Sequence, residues 1–493
     1  MFKYRINEMI DWLKAHDLVE SVSFSSEKDY VINNLSDNSK EIEPNTLFFC
    51  KGNAFRKEYL EEALSKGVVT YITDKKELLG YGDCIYVKDI RRSIAVISGK
   101  FYQESWKKLV LIGITGTKGK STTAYMVKSI IDDHLKDTDK KCAILSSIEN
   151  DDGATKEESH LTTLEPLQLH RKFYDILKND CSHCVMEVSS QALKYDRVFG
   201  LEFDITAFLN IGEDHISDIE HRSFEDYYES KLKIFDHSKK VVVSDTLNIK
   251  RENVIYFGSY TDEENAEKTT GVRHDLQPFF RIRSYPYSKE FYVDDIGDLS
   301  IKMPGYFNIE NAAAASIICH QIGIPYLNIR NGLQSVFVSG RMEMFRSGST
   351  DNIAIVDYAH NKLSYGSLFR SIQEFKDYKV ITIFGCPGKK ALQRRQELAQ
   401  IAERYSDHIY ITEEDPGEEP LDKICDEIYS HIRNKEIAEI ELDREKAIQK
   451  SFLRFQEPTL VLILGKGRES TQKRGKEYIT TLSDVDLVQK YIL

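Results

Sequence analysis

Short apolar runs alternate with stretches of helical periodicity in three successive portions of the chain, which is the pattern of α/β layering. The first portion carries strand candidates at Leu47-Phe48-Phe49, Val68 to Ile72 and Ile85-Tyr86-Val87. The second opens with Leu109-Val110-Leu111-Ile112, apolar at every position and suited to a strand buried on both faces of a parallel sheet. Ala143-Ile144-Leu145, Cys184 to Val188, Ile205 to Leu209 and Val241-Val242-Val243 continue that sheet. The third has candidates at Ile353 to Val356, Val380 to Phe384, Ile409-Tyr410-Ile411 and Leu460 to Leu464, with a helix presenting Leu398, Ile401, Ala402 and Tyr405 on one face. The pattern predicts an α/β protein of three domains, over 1–107, 108–337 and 338–493, the central one built on a parallel sheet. The polar segment around Arg251 to Thr270 reads as surface elaboration of the middle domain.

Composition narrows the classes. The 493 residues, 41% hydrophobic and 30% charged, suffice for about three cores and a soluble surface. A net charge of −12 argues against nucleic acid or an anionic membrane as partner, so an anionic ligand must be held by a local basic pocket. No run approaches the roughly 18 apolar residues of a membrane span, and the charged start lacks a signal-peptide core. A cytoplasmic monomer is expected. Eight scattered cysteines fit reduced thiols, and the lone Cys181-x-x-Cys184 pair lacks the second pair that a zinc site needs.

Chemistry first appears at Gly113-Ile114-Thr115-Gly116-Thr117-Lys118-Gly119-Lys120-Ser121, directly after the buried strand. A helix follows, with Val127, Ile130, Ile131 and Leu135 on one face. Glycines let backbone N–H groups converge on phosphate oxygens, and the helix N-terminus adds favourable potential. Lys120 would contact the β- and γ-phosphates and the Ser121 hydroxyl would ligate Mg²⁺. Five residues rather than four separate Gly113 from Gly119, one more than the strict phosphate-loop pattern allows. Glu187 ends another apolar strand, where a carboxylate can bind Mg²⁺ beside that serine. Taken alone, His215 reads as a hydrogen-bonded structural histidine and Lys231 as a solvated lysine.

Several separated motifs together resemble the Mur ligases, and within them the type that adds the third residue of the peptidoglycan stem. They are Gly116 to Ser121, Thr162-Thr163-Leu164-Glu165-Pro166, Glu187-Val188-Ser189-Ser190, Asp214-His215, Gly305-Tyr306-Phe307-Asn308-Ile309-Glu310-Asn311, Gly340-Arg341-Met342-Glu343, Asp357-Tyr358-Ala359-His360-Asn361 and Gly465-Lys466-Gly467. The resemblance implies a UDP-substrate-binding domain over 1–107, a phosphate-loop mononucleotide- and ATP-binding domain over 108–337 and a Rossmann-like amino-acid-binding domain over 338–493, together an ATP-dependent, Mg²⁺-requiring amide ligase acting through an acyl phosphate on UDP-MurNAc-L-Ala-D-Glu. It makes Lys120, Glu187, His215 and Lys231 catalytic, with Ser121, Glu187, His215 and Lys231 facing the metal and Lys231 carbamylated to N6-carboxylysine. ATP would meet Gly116, Thr117, Lys118, Gly119, Lys120, Ser121, Thr122, Asn308, Asn311, Arg341 and Asp357. The UDP-linked substrate would meet Ser39, Lys40, Thr162, Thr163, Ser189 and Arg197. In Ser36-Asp37-Asn38-Ser39-Lys40, Asn38 and Lys40 replace the family's usual Asp and Arg.

The added amino acid is a second inference from resemblance. Diaminopimelate-adding relatives carry Asp-Asn-Pro-Arg in the third domain, whereas this chain reads Glu413-Glu414-Asp415-Pro416-Gly417-Glu418-Glu419-Pro420. An acidic pocket without that arginine should repel a second carboxylate and accept an ammonium. The reading is L-lysine, with Asp415, Gly465 and Glu469 around it and Lys390 on its carboxylate, Arg394 or Arg395 being alternatives for that last role. L-Ornithine, meso-diaminopimelate, or a folylpolyglutamate-synthetase-like reaction remain the alternatives.

Overall fold

The run Leu47-Phe48-Phe49 shows how the first sheet is made. Alternate residues of a strand point to opposite faces, so Leu47 and Phe49 enter one core while Phe48 enters another. One face is covered by the helices Ile6–Lys14 and Ile90–Phe101, the other by Lys57–Ser65. The five strands run in the order Val19–Ser23, Cys84–Val87, Thr70–Thr73, Thr46–Phe49, Asn34–Ser36, with Val19–Ser23 antiparallel to its neighbour and the rest parallel. Each Leu, Ile or Phe fully withdrawn from water contributes roughly 1.5–3 kcal/mol.

The computed structural model describes residues 2–25, 29–52, 54–159, 161–212, 216, 220–259, 278–284, 288–389, 392–454 and 457–492. The chain divides into two units, residues 1–281 with 314–332 and residues 282–313 with 333–493. The first unit holds, besides the five-stranded sheet, parallel strands in the order Lys141–Leu145, Cys181–Glu187, Val110–Thr115, Ile205–Phe208, Val241–Ser244, Val254–Ser259. Glu149–Asp151 and Lys156–Glu158 add an antiparallel hairpin beside Lys141–Leu145. The chain leaves Val110–Thr115 toward one side and returns to its other side at Ile205–Phe208. Such a reversal opens a crevice at the carboxyl ends of the strands.

The second unit holds a six-stranded sheet in the order Glu343–Arg346, Ile353–Asp357, Thr459–Leu464, Lys379–Phe384, His408–Ile411, Ala438–Ile440, parallel except for the first strand. Glu290–Val293 and Gly297–Ser300 pair antiparallel in the same unit. Among the described residues no helix is long and apolar enough to cross a membrane.

One expectation is corrected. The segment beginning at Arg251 is not surface elaboration throughout, because Val254–Ser259 is a buried strand parallel to Val241–Ser244. Four apolar residues, Val254-Ile255-Tyr256-Phe257, suffice where both faces are covered, and charged flanks hide so short a run from any window average. Residues 260–277, the rest of that segment, lie outside the described residues.

Candidate functional site

In the first unit the carboxyl ends of three adjacent strands converge around the glycine-rich loop. Gly119 adopts φ +83°, a left-handed conformation that glycine reaches without steric cost, and it caps the helix Lys120–Leu135. A Cβ on Gly116 would lie 3.2 Å from that of Leu209, so the loop hugs the end of the strand Ile205–Phe208. Asn210 locks it there. Its side chain accepts the Lys118 N–H at 2.8 Å and donates to the Lys118 carbonyl at 3.0 Å. Lys120 folds back onto the loop, its Nζ donating to the carbonyls of Gly116 and Thr117 at 3.0 and 3.2 Å. Thr122 is buried in the first turn of the helix.

Glu187 and Ser121 are joined by a residue that the sequence reading missed. Ser147 donates its N–H (2.9 Å) and hydroxyl (3.2 Å) to Glu187 Oε1, and its Oγ lies 3.2 Å from Ser121 Oγ. Its only sequence signal is a pair of serines closing an apolar strand. These are hard oxygen donors beside a phosphate-type loop, a set that fits Mg²⁺. Among the described residues no group of three or more His, Cys, Asp or Glu could hold a metal, and Asp214 and His215 lie outside them.

Lys231 is not a solvated lysine. It is 1% exposed, and its Nζ donates to the Gly116 carbonyl at 2.9 Å and contacts the Thr115 hydroxyl at 3.4 Å. The helix Phe224–Leu232 brings it there, with Tyr227 one turn earlier. The Tyr227 hydroxyl lies 3.0 Å from Thr117 Oγ1, and its ring centroid is 4.9 Å from Lys231 Nζ.

A second corner of this unit carries the residues read as substrate contacts. Thr163 donates to the Glu187 carbonyl at 2.9 Å and accepts the Ser189 N–H at 3.0 Å, so it ties its own segment to the strand Cys181–Glu187. Thr162 beside it is partly exposed. Ser189 caps the helix Ser190–Lys194. Arg197 donates to the Thr163 carbonyl at 2.9 Å and meets Glu165 Oε1 at 2.8 Å. The other oxygen of Glu165 takes Lys51 at 3.1 Å, and Lys51 also meets Asp37 at 2.8 Å. Burial works against the Lys51 charge, but Asp37 and Glu165 outweigh it and hold the ammonium above its ordinary pKa. Ser39 donates to Glu62 at 2.6 Å and Lys40 is exposed. The cation that the first sheet contributes to this corner is therefore Lys51, which follows the buried strand Thr46–Phe49.

The second unit is described by itself. Asn308 is fully buried, its Nδ2 donating to the Pro304 carbonyl at 2.7 Å, and Asn311 donates to Asn308 Oδ1 at 3.3 Å. Asp357 ends its strand and receives the N–H groups of Met342 (2.7 Å) and Ala359 (2.8 Å), which pins the Gly340–Met342 turn. Arg341 stacks on Tyr358 with 4.6 Å between guanidinium carbon and ring centroid.

At the ends of the neighbouring strands Lys466 sits between two carboxylates, Asp415 at 2.8 Å and Glu469 at 2.6 Å. The run Glu413-Glu414-Asp415 is not the uniform negative patch its composition suggests. Glu413 is neutralised by a two-pronged pair with Arg474, both contacts at 2.8 Å. Burial pushes the Glu414 carboxyl up to about 8, against the opposing pull of Arg444 and Lys466. Gly465 makes room for it, since a Cβ there would lie 2.3 Å from Glu414 Oε2. The negative sign of this corner thus comes from Asp415 and Glu469. Arg395 is held by Glu419 (2.9 and 2.8 Å) and Glu427 (2.5 Å), which takes it away from the carboxylate role considered for it. Lys390 lies outside the described residues.

Comparison with known proteins adds an independent line. Residues 114–319 match the family description "Mur ligase middle domain" and residues 340–467 match "Mur ligase, glutamate ligase domain". A relative from Lactobacillus acidophilus named UDP-N-acetylmuramyl-tripeptide synthetase is 34% identical, the match covering 99% of this chain and 97% of the relative. One from Streptococcus agalactiae named UDP-N-acetylmuramoyl-L-alanyl-D-glutamate--L-lysine ligase is 36% identical, covering 93% of this chain and 92% of its own. A solved UDP-N-acetylmuramoyl-L-alanyl-D-glutamate--2,6-diaminopimelate ligase superposes with TM-score 0.65 at 21% identity, covering 100% of this chain and 99% of that one; it speaks for the fold alone.

Proposed function

The chain belongs to the Mur ligase family, and on that premise we propose that it is an ATP-dependent, ADP-forming ligase joining L-lysine to the D-glutamyl γ-carboxylate of UDP-MurNAc-L-Ala-D-Glu. The observation that carries the choice of amino acid is the pair Asp415 and Glu469, which already clasps a primary ammonium, that of Lys466, at 2.8 and 2.6 Å. A second carboxylate, as in diaminopimelate, would meet like charge there.

In this reading the substrate carboxylate attacks the ATP γ-phosphorus, giving an acyl phosphate and ADP. The lysine amine then attacks the acyl carbon and phosphate leaves. Lys120 and the loop N–H groups of Gly116 to Thr122 bind the phosphates, while Asn308, Asn311, Arg341 and Asp357 contact the rest of the nucleotide. Ser121, Glu187, His215 and Lys231 would hold Mg²⁺, which when bound offsets negative charge on the phosphates. Lys231 serves that role as a carbamate, since an ammonium would repel a dication and CO₂ capture, with loss of a proton, reverses its sign. Thr162, Thr163, Ser189, Arg197, Ser39 and Lys40 position the UDP-linked substrate, and Asp415, Gly465, Glu469 and Lys390 the amino acid.

The test is phosphate release from ATP, Mg²⁺ and UDP-MurNAc-L-Ala-D-Glu across a panel of amino acids. Lysine is expected to exceed diaminopimelate in kcat/KM by at least about 100-fold, and ornithine, one methylene shorter, by only about 10–200-fold. Preference for diaminopimelate would overturn the lysine reading, and no release with any amino acid would overturn the ligase. Lys231→Ala is expected to lose nearly all turnover and to recover part of it when a small carboxylic acid is added.

A further inference from the structure

Two cations in the first unit share one carboxylate. Lys51 lies 3.1 Å from Glu165 Oε2 and Arg197 lies 2.8 Å from Glu165 Oε1. They come from opposite sides: Lys51 follows the strand Thr46–Phe49 of the five-stranded sheet, and Arg197 follows the helix Ser190–Lys194 at the carboxyl end of the parallel one. Glu165 precedes the helix Pro166–Lys178. With Asp37 2.8 Å from Lys51, two cations face two carboxylates and the cluster is neutral in a chain whose net charge is −12, so the cations outnumber Asp37 only when Glu165 moves aside. The side chains of Lys51 and Glu165 are 23% and 28% exposed, so solvent, and hence a ligand, reaches the pair. Thr163 and Ser189 lie within 3.4 Å of each other beside it.

We propose that Lys51 is a further anion-binding residue of the UDP-substrate site, acting with Arg197, and that Glu165 is an internal stand-in which holds both cations until an anionic group of the substrate displaces it. The proposal rests on the function proposed above and deepens it. The ligand chemistry is a carboxylate or a phosphate, both of which the substrate carries. The cluster is part-buried, with the Arg197 side chain 13% exposed, so its cations need a partner, and a charged ligand bringing several oxygens can take over from Glu165 by meeting both together.

The experiment measures binding of UDP-MurNAc-L-Ala-D-Glu by calorimetry, without ATP, to the full chain and to Lys51→Met, Lys51→Arg and Glu165→Gln. Lys51→Met is expected to weaken binding about tenfold or more, as loss of a hydrogen bond to a charged group does, and Lys51→Arg to restore most of it. KM for ATP and for lysine should stay within about twofold. Glu165→Gln separates a binding role from a strut, since it breaks the Lys51–Glu165 pair that Lys51→Met also breaks, and the Arg197–Glu165 pair besides, while leaving both cations. Equal or tighter binding supports the proposal. Weakening by Glu165→Gln as large as that of Lys51→Met, or no effect of Lys51→Met, overturns it. Should Lys51→Met fail to fold, Glu165→Gln alone decides. UDP-MurNAc lacking the peptide tells the source: a defect that persists with it assigns the diphosphate, one that vanishes assigns a peptide carboxylate. Failure of the broader reading looks different, because the unmodified protein would then bind no UDP-linked compound at all.

Discussion

Two corners of the molecule are built alike with the signs reversed. In the first unit Lys51 and Arg197 share the carboxylate of Glu165; in the second, Asp415 and Glu469 share the ammonium of Lys466. They differ in depth. The Glu165 side chain is 28% exposed, whereas that of Lys466 is 5% exposed, on a loop that leaves the buried strand Thr459–Leu464. A partly exposed shared charge can be exchanged for a ligand, but a buried one is part of the fold, because removing it leaves its partners, here Asp415 and Glu469, as like charges facing each other with no cation between them. The first corner is therefore expected to trade its internal charge for substrate, and the second to keep Lys466 and use it to hold two acceptors in place.

Each corner has a buried, uncharged titratable neighbour, and these move stability in opposite directions with pH. Glu414, next to Asp415, has its carboxyl raised to about 8 from the ordinary 4.5, so between those values the folded chain holds a proton that the unfolded chain has lost. Stability is then full below about pH 4.5 and falls as pH rises to 8, by on the order of 5 kcal/mol. Glu414→Gln should flatten that slope in urea unfolding followed across pH, and a slope that survives would sink the assignment.

On the first unit's side the sign inverts. His170, in the helix that follows Glu165, is pushed by burial to about 4 from 6.5. The unfolded chain binds the extra proton, so stability is full above about pH 6.5 and is lost as pH falls toward 4, by roughly 3 kcal/mol. His170→Gln should remove this acid-side loss and leave the alkaline side alone.

A smaller effect separates the corners directly. Lys466→Met leaves two half-exposed carboxylates facing each other and should cost roughly 2 kcal/mol of stability. Free L-lysine in millimolar excess should restore much of the thermal midpoint by binding between them. Smallest of all, Glu165→Gln should change stability by less than about 1 kcal/mol. A large destabilisation there would show that the two corners do not differ as their exposures imply.

The layout of the sheets was legible because buried parallel strands are written as nearly continuous apolar runs: Val110–Thr115 and Thr459–Leu464 each follow from four or more such residues in a row, and Ile205–Phe208 is interrupted by Thr206 alone. The loop Gly116 to Ser121 was legible because its glycines sit in one short stretch. Val254–Ser259 escaped because its four apolar residues sit within a polar, charged stretch that hides them from any average over neighbours. Ser147, Asn210, Tyr227 and Lys51 escaped for another reason: each is an ordinary polar residue whose importance lies in a partner 40 to 114 positions away.

Local order along the chain thus settled which stretches become strands, where the phosphate loop lies and which acids and bases are on offer, since these depend on neighbours within a few residues. Folding in three dimensions settled which of those charges survive. Burial and pairing silenced Glu413 and Glu414 and set Asp415 and Glu469 as two carboxylates around the one ammonium of Lys466, and they turned Lys231 from a surface-type lysine into a buried one against the Gly116 carbonyl. The charge a side chain carries and the atom it meets are set by solvent exclusion and by distant partners, which no stretch of neighbouring residues encodes.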